Sequence, residues 1–238
     1  MKKTLMTILV SGLMLASCSK QEVSDNPLLQ KWDTPFETAP FEKIKVEHYL
    51  PAFEAAIAEH NKEIQAIIDN AEAPTFDNTI AALDYSGETL SKVAGVFGNM
   101  MAANTSEELQ KVNEQVGPMM ATHSDNVSMN AKLFEKIKAV YDAKDSQKYT
   151  GEQLALLEKT YNKFVRSGAL LDAAKQEELR KVNAELTKVE SKFDANLLKE
   201  SKAYQLVIDK EENLKGLPQG EIEKAAALAK QEGKEGKW

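Results

Sequence analysis

The strongest constraint on this chain lies between Thr150 and Ser201. There Leu179, Val182, Leu186, Val189 and Phe193 recur at alternating intervals of three and four residues. That spacing puts all five side chains on one face of a helix, with Lys, Glu, Asn and Gln on the other. A second helix precedes it. Thr150, with Gln153 three residues on, is a capping-box signature. The helix it opens carries Leu154, Leu157, Tyr161, Phe164 and Val165. The two are joined at Arg166-Ser167-Gly168-Ala169, where Gly168 stops the first and Asp172 starts the second. Neither helix can hide its apolar stripe alone, so the rest of the chain must supply cover.

Three earlier segments are predicted to do so. Over 46–71, Leu50, Phe53, Ile57, Ile64 and Ile67 keep the helical rhythm and His60 fills the missing step. Pro51 is tolerated because it falls near the first turn. Thr75 caps a helix over 75–103 with Phe76, Ile80, Leu83, Leu90, Val93, Phe97 and Met100. Its small residues Gly87, Ala94, Gly95 and Gly98 suit close helix packing better than a hinge. Thr105-Ser106-Glu107-Glu108 opens a helix over 105–127 with Leu109, Val112, Val116, Met119 and Met120, which Pro118 should kink. Asn130 starts a shorter helix through Leu133, Phe134, Ile137 and Tyr141. Ahead of these, Pro27 to Pro40 reads as an extended segment lying across the helices, anchored by Trp32; a disordered arm is the other reading.

The charge balance is acidic, 37 Asp+Glu against 30 Lys+Arg. The two signs are interspersed with no basic block, which excludes a nucleic-acid footprint. With 42% hydrophobic residues, few β-branched runs, and 7 prolines and 11 glycines mostly between periodic segments, the fold class is mainly α: a bundle of long antiparallel helices.

Residues 1–17 read as an address. Lys2 and Lys3 precede an apolar run, Leu5 to Ala16, too short to span a bilayer. The run ends in Leu15-Ala16-Ser17-Cys18, which resembles a lipobox, and Cys18 is the chain's one cysteine. By that resemblance Cys18 is lipidated and begins the mature chain, with 18–26 as a tether. An ordinary cleaved signal with a free thiol is the alternative. Removing 1–17 takes away Lys2 and Lys3, so the mature charge is 28 − 37 = −9. The expected location is the bacterial cell envelope, the chain anchored to a membrane and facing the periplasm or the cell surface.

After Ser201 the period changes. Ala203 to Ile208 is short, apolar and β-prone, and is expected to form a strand. Leu217-Pro218 breaks the chain, and Ile222 to Ala229 is an alanine-rich helix. A single strand leaves its ladder groups unpaired, and the sole candidate partner begins at Lys237. The chain therefore reads as cut where its partner strand starts, ahead of any catalytic domain. A natural end with a frayed tail is the other possibility.

Chemistry-bearing motifs are sparse. The three histidines, His48, His60 and His123, form no HExxH, the spacing that puts two zinc ligands on one helical face. His60 reads as a core or boundary residue and His48 as a surface or helix-packing one. There is no G-x-S-x-G elbow, P-loop or G-x-G-x-x-G. The adjacent pairs Glu107/Glu108, Glu177/Glu178 and Glu211/Glu212 lie near helix starts, where a negative charge is favourable. No catalytic or metal-ligating residue is assigned; the one modification site is Cys18.

An ordered set of segments nevertheless resembles a known family. They are Ile44 to Ala56 (IKVEHYLPAFEAA), Thr75 to Ile80 (TFDNTI), Leu83 to Gly87 (LDYSG), Val96 to Thr105, Met129 to Phe134 and Tyr161 to Ala169 (YNKFVRSGA). Their order and spacing resemble the N-terminal half of the thimet-oligopeptidase-like zinc metallopeptidases, nearest the peptidyl-dipeptidase (dipeptidyl carboxypeptidase) branch, with oligopeptidase A close by. The likeness covers roughly residues 27–238.

The resemblance implies a mostly helical enzyme with a deep channel between two halves. The N-terminal half would form one channel wall and admit only short peptides. The other half would carry HExxH and a further glutamate ligand, and the glutamate within HExxH would polarise a zinc-bound water that attacks the scissile carbonyl. Dipeptides would leave from the peptide C-terminus. On that reading residues 27–238 are an inactive portion of a monomeric, exported zinc peptidase, with zinc and short peptides bound by the whole. The rival reading is a stand-alone, lipid-anchored helical binding or scaffold protein.

Overall fold

The computed structural model describes residues 25–238. The expected signal peptide, the lipidation site Cys18 and most of the tether fall outside the described residues. Asn26, the last residue of that tether, is buried and already part of the body: its side chain accepts from the Leu28 amide at 3.0 Å and donates to the His48 carbonyl at 2.7 Å.

Among the described residues eight α-helices follow in order. They are α1 (Tyr49–Asp69), α2 (Ala82–Tyr85), α3 (Glu88–Ala103), α4 (Glu107–Ser128), α5 (Ala131–Asp142), α6 (Gly151–Arg166), α7 (Ala173–Ala203) and α8 (Gln219–Gln231). The chain divides into two compact units, the first ending at Val189 and the second running Glu190–Trp238.

The first unit has two apolar cores. In one, Tyr49, Ala52, Phe53 and Ala56 of α1 meet Leu90, Val93 and Phe97 of α3 and Leu109 and Val116 of α4. Phe97 sits edge-on to both Tyr49 and Phe53, a favoured aromatic geometry. In the other, Ile64 and Ile67 at the far end of α1 meet Leu133, Phe134, Ile137 and Val140 of α5 and Leu157 and Phe164 of α6. The Tyr141 and Tyr161 rings stack there at 3.9 Å. The segment before α1 lies on the first core through fully buried Leu28. Trp32 anchors it too, its indole N–H donating to the Pro27 carbonyl and its ring lying 4.0 Å from the Lys92 ammonium. Phe36 and Phe41 take no part, since both are exposed.

Local signals set the helix ends. Thr150 and Gln153 form the expected capping box of α6. Asn130 caps α5, and Asp172 accepts from the Lys175 amide at the start of α7. Ser106, not Thr105, caps α4, accepting from the Leu109 amide. The Lys136 ammonium donates to the Asn70 carbonyl at the end of α1.

Three expectations need correction. The helix over 75–103 is not continuous: a wide π-helical turn over Phe76–Ala81 leads into α2, and Gly87 at φ +75 then resets the chain into α3. Of its small residues, Gly95 and Gly98 face open space, so they mediate no close helix approach, whereas Gly87 does.

The strand expected over 203–208 is absent. Ala203 ends α7, residues 204–210 have no regular secondary structure, and no strand forms among the described residues. One reciprocal pair of backbone hydrogen bonds, Ile208 to Trp238 at 2.7 and 3.1 Å, is the sole pairing of that segment. A ladder needs several such pairs in succession.

The third correction concerns α7. None of its residues is buried. Val182, Leu186 and Val189 are 60%, 51% and 55% exposed, and Phe193 and Leu197 further along are exposed as well. The three helices expected to cover this stripe spend their apolar faces on one another and on α5 and α6.

Candidate functional site

Two features of the first unit stand out chemically. The first is a histidine pair. His60 is on the inward side of α1, one helical step from Ile64. His123 is on α4, seven residues beyond buried Val116. Their rings meet edge to face at 4.9 Å, with His60 Nδ1 2.9 Å from His123 Nε2. His60 Nε2 lies 3.1 Å from Ser86 Oγ, in the turn between α2 and α3. The Ser86 hydroxyl donates to the Leu83 carbonyl at 2.7 Å. The next amide, Gly87 N–H, donates to Glu63 Oε2 at 2.7 Å. Gly87 must be glycine here, because its φ is left-handed and a Cβ would stand 3.1 Å from the His60 ring.

These bonds fix the protons. The Ser86 hydroxyl directs its single proton at the Leu83 carbonyl, which assigns Ser86 Oγ as acceptor from His60 Nε2–H. His60 Nδ1 is then a lone pair, and it accepts from His123 Nε2–H. Both imidazoles are held below the ordinary histidine range, first by burial. Glu63 works against that at His60 and Lys163 with it, while His60 itself lowers His123.

The second feature is the orientation of α7. Asn183 donates to the buried carboxylate of Asp125 at 2.8 Å, and Arg180 donates to the Asn126 side chain at 3.0 Å. Thr187 lies on the same side, where a Cβ on Gly117 would touch it at 3.4 Å. These positions follow helical spacing, so α7 turns its polar side to α4 and its apolar side, Val182, Leu186 and Val189, outward.

The remaining candidate residues have structural roles. His48 Nδ1 accepts from the Lys45 amide at 3.0 Å and so caps the first turn before α1. Glu107 and Glu108 lie in the first turn of α4, where backbone and Ser106 hydrogen bonds hold the Glu108 carboxyl below its usual range. Glu177 and Glu178 are exposed near the start of α7, and Glu211 and Glu212 open a short 3-10 turn. Among the described residues no three His, Cys, Asp or Glu side chains are grouped to hold a metal ion. The histidine pair does not suit zinc either, since both His60 nitrogens are committed to His123 and Ser86.

Comparison with known proteins places this fold. Residues 53–176 match the sequence profile of the N-terminal domain of neurolysin/thimet oligopeptidase. The chain belongs to that family. It is 36% identical to a dipeptidyl carboxypeptidase of Salmonella typhimurium over 91% of this chain and 32% of the relative. The Escherichia coli dipeptidyl carboxypeptidase is 35% identical over 90% of this chain, and oligopeptidase A of the same organism 26% identical over 88%. The chain spans about a third of the length of these relatives.

Proposed function

We propose that residues 1–238 are the N-terminal part of an exported zinc peptidase that removes dipeptides from the C-termini of short peptides. In this reading α1 to α7 form one wall of its peptide channel. The wall carries no HExxH, so zinc and its activated water belong to chain beyond Trp238. Cys18 would tether the protein to a membrane of the cell envelope.

The observation that carries the reading is the match of lengths: nine-tenths of this chain aligns with one-third of two dipeptidyl carboxypeptidases. The outward stripe of α7 supports it. A helix whose apolar face meets no cover in the first unit is suited to burial by further chain. At roughly 25 cal/mol per Å² of apolar area, covering such a face is favourable. The purified chain, supplied with zinc, is expected to leave a blocked tripeptide uncut. Zinc-dependent turnover would contradict this reading.

A further inference from the structure

We propose that His60, His123 and Ser86 form a proton-operated latch, which ties α1, α4 and the turn into α3 together while both imidazoles share at most one proton and opens when a second proton enters. The latch goes beyond the proposed peptidase role and does not depend on it.

The geometry is directional. Hydrogen bonds run from His123 Nε2–H to His60 Nδ1, from His60 Nε2–H to Ser86 Oγ, and from the Ser86 hydroxyl to the Leu83 carbonyl. A first proton has somewhere to go. His123 Nδ1 can take it while Nε2–H still donates to His60, and a charge-assisted bond results. A second proton has only His60 Nδ1, the atom that accepts from His123. Protonating it sets two N–H groups against each other at 2.9 Å and two like charges side by side. The pair therefore binds its two protons in coupled steps, and the second step costs the bond between α1 and α4.

The surroundings sharpen the response. On α1, Glu63 favours a proton on His60, yet its carboxylate is already engaged by the Gly87 amide. On α6, Lys163 opposes protonation. Asp125, two residues from His123 on α4, receives Asn183 from α7. The turn between α2 and α3 contributes Ser86 and Gly87, neither of them charged. When His60 swings away from His123, Gly87 is the first neighbour affected, because it is packed against the ring.

The Gly87 amide is therefore the reporter. In the wild-type protein at pH 7.5, imidazole nitrogen NMR is expected to show His60 as the Nε2–H tautomer with an unprotonated Nδ1. Below the pH where the second proton binds, Gly87 amide exchange, corrected for its intrinsic rate, should rise about tenfold per pH unit for one linked proton. His60→Gln should abolish that rise. A His60 Nδ1–H tautomer at pH 7.5 would overturn the latch. So would two independently titrating rings with Gly87 exchange unchanged. Both of those readings come from wild-type protein and stand even if the variant fails to fold.

Discussion

Asn183 on α7 donates to the Asp125 carboxylate on α4 at 2.8 Å, and this bond helps decide which side of the longest helix faces the bundle. A buried carboxylate must be met by donors. Asn183 meets it, with Arg180 beside it on Asn126, and the apolar stripe is left pointing outward. An amphipathic helix lying polar side in needs its polar contacts satisfied, so the Asn183–Asp125 bond is the place to test.

Asn183→Ala should cost about 1–3 kcal/mol, the usual penalty for stranding a buried polar group. A double-mutant cycle with Asp125→Asn, read by urea denaturation, should show the two changes to be non-additive. Additive losses would mean that the bond does not orient α7.

The outward stripe should behave as surface. Val182→Glu and Leu186→Glu are expected to change stability by no more than about 0.5 kcal/mol and to lower binding of an apolar dye. Leu157→Ala in α6, at a fully buried site, should instead cost about 2–5 kcal/mol. Denaturant melts of the three variants check the contrast. A core-sized loss at Leu186 would show that the stripe is covered within this chain.

Gly87→Ala should destabilise by about 1–2 kcal/mol, since an L-residue is strained at positive φ, and its Cβ would press on His60. The same melts test it, and a neutral substitution would contradict the close approach.

Stability should also depend on pH with a definite sign. Burial holds both imidazoles below the ordinary value of about 6.5. As pH falls, the unfolded chain therefore takes up protons before the folded one does. The contribution is whole above about 6.5 and is lost below it, towards the folded values. The melting temperature should fall between pH 7 and pH 5, and fall less in His60→Gln. A melting temperature that rises over that range would reverse the assignment.

Much of the fold was legible because helix starts and stops are local. Thr150 with Gln153, Asn130 and Asp172 each act on amides three residues away, and the structure uses all of them. Partners were harder to read. The spacing 109, 116, 123 puts His123 on the buried face of α4, just as 57, 60, 64 puts His60 on that of α1. The sequence already reads His60 as a core or boundary residue, and phase alone could have set His123 in the core as well. Nothing in either helix says that the two phases meet at the same height. For α7 the periodicity gave the stripe but not its direction, because the stripe does not report where Asp125 waits for a donor. The segment over 203–208 had strand composition, yet composition supplies no neighbouring strand, and Ile208 meets a single partner in Trp238.

The central claim, that this chain is the wall-forming part of a larger peptidase, is tested most directly by the intact mass of the protein isolated from its own cells. An antibody raised to residues 25–238 would capture it. The account predicts a polypeptide about three times the chain's 26.4 kDa, in keeping with the one-third of the relatives that the chain spans. A sole species at or below 26.4 kDa would contradict it and leave a stand-alone helical binding protein.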